Sequence, residues 1–377
     1  MCGTQEQCFN EKYLKTIAKF HNYSANNCIL IVMQKEDATR VASFTTWKNL
    51  NRNVKKGEKG IKIIAPAPYK KYKLMDCVDK NTGEVVIGAD GKPIQEKVEV
   101  VVQNYKLATV FDISQTEGKE LPEIVHELQG NKEDYEKMFT AIQIASPVPI
   151  NFENIKTGAN GYYSQVEKRI AVRDGMSQIQ TIKTSIHEVS HAMLHNRDQF
   201  TKTGKLPDSF TREVQAESVA YVVCSHFNID TSDYSFGYIA GWSKNKELPE
   251  LKESMGVIRE TAAQIINKIE KEMKRMNEKE QCMILAIEID QYAQDFDFYD
   301  YEDKVVSKEA MIDSLMRDIE IGNVGYIKDW INSSIDTAAT EQDIEKAKEI
   351  LERIKKYDKK EIIKNNECDI KKMCRAM

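Results

Sequence analysis

Hydrophobic and polar positions recur with two periods along this chain, and the switches between them outline its elements. Near the start, Tyr13, Ile17 and Phe20 step by three and four, the spacing of one helix face. A second helix is expected from a cap on Ser24 or Asn26 through Lys35. Between Lys73 and Val102, apolar runs flank Asp90-Gly91, a pattern that predicts a hairpin. Val148–Phe152, Gly161–Gln165 and Arg169–Arg173 read as short strands, the last two joined by a turn. Ile179, Ile182, Ile186, Val189 and Met193 then predict a helix with one buried face, capped by Ser177 after a break at Gly175. A further helix is expected over Thr211–Phe227, capped by Thr211 or Ser209 and burying Val214, Tyr221, Val222 and Val223. Helical patterns follow at Tyr234–Trp242, Leu251–Arg275, Met283–Ala293 and, as two or three helices, over 308–357. The fold class expected is α+β.

The most specific chemistry lies on the Ser177-capped helix, at His187-Glu188-Val189-Ser190-His191. In this HExxH pattern the two imidazoles share a helix face and can point at one ion, with Glu188 beside them to take a proton from water. A catalytic zinc needs a third protein ligand, and the next helix offers two carboxylates one turn apart, Glu213 and Glu217. One can ligate; the other can accept the free ring N–H of a ligating His and so orient it. Cys224 shares that stripe and reads as a core thiol. His195, one turn beyond His191, is expected to hydrogen-bond near the site or to cap the helix end. His226 or Tyr221 is a candidate to stabilise an oxyanion.

Glu213-Val-Gln-Ala-Glu217 after HExxH resembles the Glu-x-x-x-Asp of the gluzincin peptidases, with Glu in place of Asp. The resemblance implies that His187, His191 and Glu213 hold Zn2+, that Glu217 orients a ligand, and that Glu188 is the catalytic base.

Charge changes the picture of the first third. Residues 40–73 carry ten Lys or Arg against one acid, Glu58, an excess of nine positive charges; with −5 overall, the remainder sums to −14. Phe44, Trp47, Tyr69 and Tyr72 are interleaved with these cations. Cations track phosphates and aromatic faces stack on unpaired bases, so single-stranded DNA is the expected partner. The DNA-binding candidates are Arg40, Trp47, Lys48, Arg52, Lys55, Lys56, Lys59 and Lys62, although Trp47 can equally face the core. Eight of the ten cations are Lys, which lack the fork that reads guanine, and this favours sequence-tolerant binding. Residues 281–303 carry seven acids and no Lys or Arg; within them the run Asp295–Asp303 reads as a solvated loop, with imitation of DNA charge or the holding of a cation as alternatives. No apolar run is long enough to span a bilayer, so no membrane partner is expected. Eight scattered cysteines without a CxxC pair suggest reduced thiols and a cytoplasmic protein.

Residues 13–122 resemble the N-terminal domain of the ArdC antirestriction family of plasmids and conjugative elements. The matching stretches are His21-Asn-Tyr-Ser-Ala-Asn-Asn27, Ala38-Thr-Arg-Val41, Thr46-Trp-Lys48, Val54-Lys-Lys-Gly-Glu-Lys-Gly-Ile61 and Val110-Phe-Asp-Ile-Ser-Gln-Thr-Glu-Gly118. Over about residues 10–270 this resemblance implies an α+β domain that binds single-stranded DNA, then a zincin-like metallopeptidase domain related to the ImmA/IrrE enzymes. The expected domains are 1–122, 123–275 and a helical accessory region, 276–377. The expected function is protection of incoming conjugative DNA from restriction, with hydrolysis of an unidentified protein substrate. The alternatives are a non-proteolytic DNA protector with structural zinc and an ImmA-like protease that cleaves a repressor.

Overall fold

The structure, a computed structural model, describes residues 5–78, 83–89, 91–120, 132–196, 207–230, 248–295, 308–337 and 340–358. The helix expected at Tyr234–Trp242, Asp90 and the acidic run beyond Asp295 lie outside these residues. The chain is mixed α+β and divides into two compact units, Met1–Ile269 and Glu270–Met377.

The first unit begins with α1 (Gln5–Lys19) and α2 (Ala25–Gln34). Ser24 caps α2, its hydroxyl accepting from the Asn27 amide at 3.3 Å. There follow β1 (Val41–Ser43), α3 (Phe44–Asn49), β2 (Arg52–Val54), β3 (Ile61–Pro66), β4 (Tyr69–Asp76), β5 (Gln95–Val102), β6 (Tyr105–Asp112) and β7 (Thr116–Gly118). An antiparallel sheet has the order β1-β6-β3. Alternation along its strands sends Ile61, Ile63 and Val110 to one face, where they pack with Phe20, Cys28, Ile31 and Val41. Lys62, Ile64, Tyr105 and Leu107 take the opposite face.

Two side-chain amides on α2 close the open edge of β3. Asn27 donates to the Ile64 carbonyl and accepts from its amide, both at 2.8 Å, and Gln34 does the same at Lys62. They stand in for a missing strand and satisfy backbone groups that the sheet would otherwise expose. Asp112 ends β6 by accepting from the amides of Thr39, Arg40 and Ser114, while Gln115 bonds back to the Asp112 amide. Burial would raise the Asp112 pKa, but these bonds bring it below the ordinary value. Gly118 has φ +131, and an added Cβ would lie 2.4 Å from the Asn51 carbonyl, so the β2–β7 pair requires glycine there. Much of the ArdC-like motif is therefore scaffold. Strands β4 and β5 extend this sheet's hairpin as an exposed antiparallel ribbon, with isolated bridges Val78–Val85 and Ile87–Pro93 near its tip.

The rest of the unit holds α4 (Lys132–Ala145), β8 (Ile150–Glu153), β9 (Gly161–Ser164), β10 (Arg169–Arg173), α5 (Gln178–Leu194) and α6 (Ser209–His226). The strand order is β8-β10-β9, with β8 parallel and β9 antiparallel to β10. Ser177 caps α5, whose Ile182, Ile186 and Val189 are buried; Ile179, expected on that face, is 51% exposed because its turn forms the rim of a cleft. The cap of α6 is Asp208, not the expected Thr211 or Ser209, because its carboxylate accepts from the Thr211 amide at 2.9 Å. Val214, Ala216, Val219, Val222 and Val223 are all buried, so α6 is a core helix covered on nearly every side.

Leu248–Asp295 forms one helix, α7, where two segments were expected. The intervening Met276-Asn-Glu-Lys-Glu-Gln-Cys282 contains no Gly or Pro to break it. In the second unit, α8 (Lys308–Ile321), α9 (Gly325–Thr337) and α10 (Glu341–Lys355) share a core that includes Leu285, Ile289, Ile319, Ile331 and Ile350. Among the described residues no helix is long and apolar enough to cross a membrane.

Candidate metal centre and basic surface

Helices α5 and α6 pack side by side and bring three donors together. His187 Nε2 and His191 Nε2 are 3.1 Å apart. Glu213 sets one oxygen 3.5 Å from His187 Nε2 and the other 3.6 Å from His191 Nε2. Among the described residues, this is the one group of His, Cys, Asp or Glu with metal-binding geometry. They line a cleft of about 590 Å³ with Glu188, Glu217, Lys183, His195 and Arg212.

Behind the donors lies a ring of buried partners. His187 Nδ1 is 3.1 Å from Glu217, whose other oxygen meets Lys183 Nζ at 2.6 Å. His191 Nδ1 is 2.9 Å from His195 Nδ1. Burial pulls the His187 pKa down, but its bonds to Glu213 and Glu217 outweigh this and take it to about 9. Those bonds to His187 and His191 hold Glu213 far below the usual carboxylate range. Burial opposes ionisation of Glu217, yet His187 and Lys183 bring it down to about 2. Glu188 shifts the other way, raised chiefly by burial. Cys224 is fully buried and pushed up to about 12 by desolvation, an inert core thiol.

Strand β9 borders the cleft through Gly161, Tyr162 and Tyr163, and among the described residues its outer edge pairs with no strand. A Cβ at residue 161 would lie 2.7 Å from Thr184 and 3.2 Å from Glu188 Cγ, so glycine lets the strand press against α5. His226 and Tyr221 do not line the cleft; His226 Nδ1 meets the Ala18 carbonyl at 2.7 Å and Tyr221 is buried, which removes both as oxyanion candidates. The reading of spacing missed Lys183 and Arg212. Both face the cleft from the turns that carry the ligand candidates, one turn before His187 and directly before Glu213.

The basic segment is different. Lys48, Lys55, Lys56, Lys59 and Lys62 are exposed, and Arg40 is half-buried. Arg52 is spent on its own fold, donating to Thr116 Oγ1 at 2.8 Å and to the Lys119 carbonyl at 2.7 Å. Lys55 reaches the Ser114 carbonyl and Lys62 reaches Thr109 Oγ1. Trp47 offers no stacking face: it is 0% exposed and donates its indole N–H to the Phe111 carbonyl at 2.8 Å. On the short helix α3, the exposed aromatic is Phe44. Tyr69, Tyr72 and Tyr105 on the hairpin are exposed as well.

Fold and site together define a mixed α+β protein with a two-histidine, one-glutamate cluster. Residues 4–111 match the family described as the N-terminal domain of anti-restriction factor ArdC, and this part of the chain is similar to that domain. An uncharacterised protein of Bacillus anthracis is 34% identical over 291 residues, which cover 70% of this chain and 48% of that protein; the chain thus spans about half the length of this relative. Two crystal structures of the antirestriction protein ArdC from plasmid R388 are distant likenesses. The metal-free one is 18% identical with a TM-score of 0.40, covering 72% of this chain and 99% of its own. The Mn(II)-bound one is 15% identical with a TM-score of 0.39, covering 72% and 98%.

Proposed function

We propose that this chain is a zinc-dependent metallopeptidase whose N-terminal part binds single-stranded DNA, serving to protect incoming DNA from restriction. The observation that carries the metal reading is the triangle of donors, with sides of 3.1, 3.5 and 3.6 Å. Ligands at 2.0–2.2 Å in a tetrahedral site stand about 3.4 Å apart. A cation at the centre of this triangle would meet two imidazole nitrogens and a carboxylate at once, in place of the proton that His187 carries without it. His187, His191 and Glu213 would hold zinc, which supplies Lewis-acid polarisation of a water and of a substrate carbonyl. Glu188 is suited to take the proton of that water and pass it to the leaving amine, since burial raises its pKa toward the working range. Glu217, tied to Lys183, would fix the orientation of His187. The free edge of β9 can take up a peptide by main-chain hydrogen bonds.

For DNA, the exposed Lys48, Lys55, Lys56, Lys59 and Lys62 are the phosphate candidates. The stacking role falls to Phe44, Tyr69, Tyr72 and Tyr105 in place of Trp47. The functional division follows residues 1–122, 123–275 and 276–377. A protector with a purely structural metal is the competing reading, and it leaves the buried, cleft-lining Glu188 without a task. Host lysate incubated with the wild type and with Glu188→Gln separates the two. New N-termini should appear with the wild type alone, while both proteins keep the metal. Equal cleavage by both would remove Glu188 as the base.

A further inference from the structure

We propose that His195 is a positioning residue: it holds His191 in the tautomer whose Nε2 lone pair faces His187 and Glu213. The inference rests on the metal reading above and asks what makes His191 a ligand. Every polar group of His195 is engaged. Its amide donates to the His191 carbonyl at 2.9 Å, and its carbonyl accepts from Gln165 at 3.0 Å. Its ring meets His191 Nδ1 at 2.9 Å through Nδ1 and Gln215 Oε1 at 3.0 Å through Nε2. The ring is buried, so water offers no alternative partner.

The chain of contacts has a single direction. Gln215 donates its NH2 group to Ser254 Oγ at 3.2 Å, which turns its carbonyl oxygen toward His195. A carbonyl oxygen only accepts, so His195 Nε2 must carry the proton. A neutral imidazole then leaves Nδ1 as an acceptor, and the contact with His191 is His191 Nδ1–H donating. That leaves His191 Nε2 with its lone pair directed at the other two donors. The tautomer of one ligand is thus set from a serine on α7, through Gln215 on α6. His187 is backed by the charged Glu217–Lys183 pair, whereas His191 is backed by an uncharged relay. Such outer partners commonly account for ten- to a hundredfold in metal affinity.

The test uses the full chain, zinc alone as probe, and competition with a chromophoric chelator. His195→Leu fills the space but cannot accept, and it should bind zinc about 10–100-fold more weakly. His195→Asn sets an amide oxygen near the position of Nδ1 and should recover most of that loss. Gln215→Leu leaves His195 in place but frees its tautomer, and it should fall between the wild type and His195→Leu. Thermal midpoints of the metal-free proteins control for fraying of the α5 end. The visible spectrum of Co(II)-loaded samples should change in His195→Leu and return toward wild type in His195→Asn. Wild-type affinity in His195→Leu overturns the proposal, as does an Asn variant no better than Leu. A wild-type protein that takes up no zinc overturns the metal reading instead.

Discussion

The cleft between α5 and α6 and the basic surface of the N-terminal part use polar residues in opposite ways. At the cleft, three polar side chains of the nearly buried α6 converge on α5: Glu213, Gln215 and Glu217 meet His187, His191 and His195. Each has a named partner, because an unpaired buried group would be costly. On the basic surface the lysines are exposed, and Arg52 and Lys55 bond to nearby backbone carbonyls. Convergent buried polarity with fixed tautomers is the mark of a site built for one small ligand. Dispersed exposed charge suits a partner held by many weak contacts, such as a phosphate backbone.

Trp47 gives the largest effect that bears on this contrast. Its full burial and its bond to the Phe111 carbonyl make it part of the scaffold. Trp47→Ala should destabilise the fold by about 3–5 kcal/mol, read from chemical denaturation. Affinity of the still-folded fraction for poly-dT should hardly change. A variant of normal stability that had lost DNA affinity would move Trp47 back to the surface and blur the contrast.

The cleft should respond to pH. Without metal, His187 keeps a proton up to about 9, above its ordinary value. That proton stabilises the metal-free fold fully below about 6.5, and the contribution is lost as pH rises through about 9. Zinc must displace it, so the apparent affinity should climb about tenfold per pH unit between 7 and 9 and then level off. Chelator competition at several pH values reads the slope, and a flat profile would mean that His187 does not change protonation on binding.

The basic surface should give the smallest and most graded response. Replacing Lys55, Lys56 and Lys59 with Gln should weaken poly-dT binding similarly for all sequences. Each lost phosphate contact should remove about 0.7 from the slope of log affinity against log salt. An unchanged slope would place the phosphate path elsewhere, for instance along the β4–β5 ribbon.

What could be read from sequence follows the range of the interactions. Helical spacing is local, so His187 and His191 on one face, the Ser177 and Ser24 caps and strand β10 at Arg169–Arg173 were legible. The cap of α6, expected at Thr211 or Ser209, falls at Asp208, since Ser, Thr and Asp side chains can all accept from the first turn and spacing alone does not choose among neighbours. The facing of Trp47 depends on the register of β6, sixty-four residues away, and no local pattern carries it. The relay behind His191 needs Gln215 and Ser254 from two other helices, so spacing around His195 could only suggest that it bonds nearby.

The most direct test of the account is metal content after dialysis against zinc, for the wild type, Glu213→Ala and Glu217→Ala. The account predicts one zinc per wild-type chain, none in Glu213→Ala, and retained but about 10–100-fold weaker binding in Glu217→Ala. An empty Glu217→Ala beside a fully loaded Glu213→Ala would contradict the assignment of the ligand, and a wild type without zinc would contradict the metal centre itself.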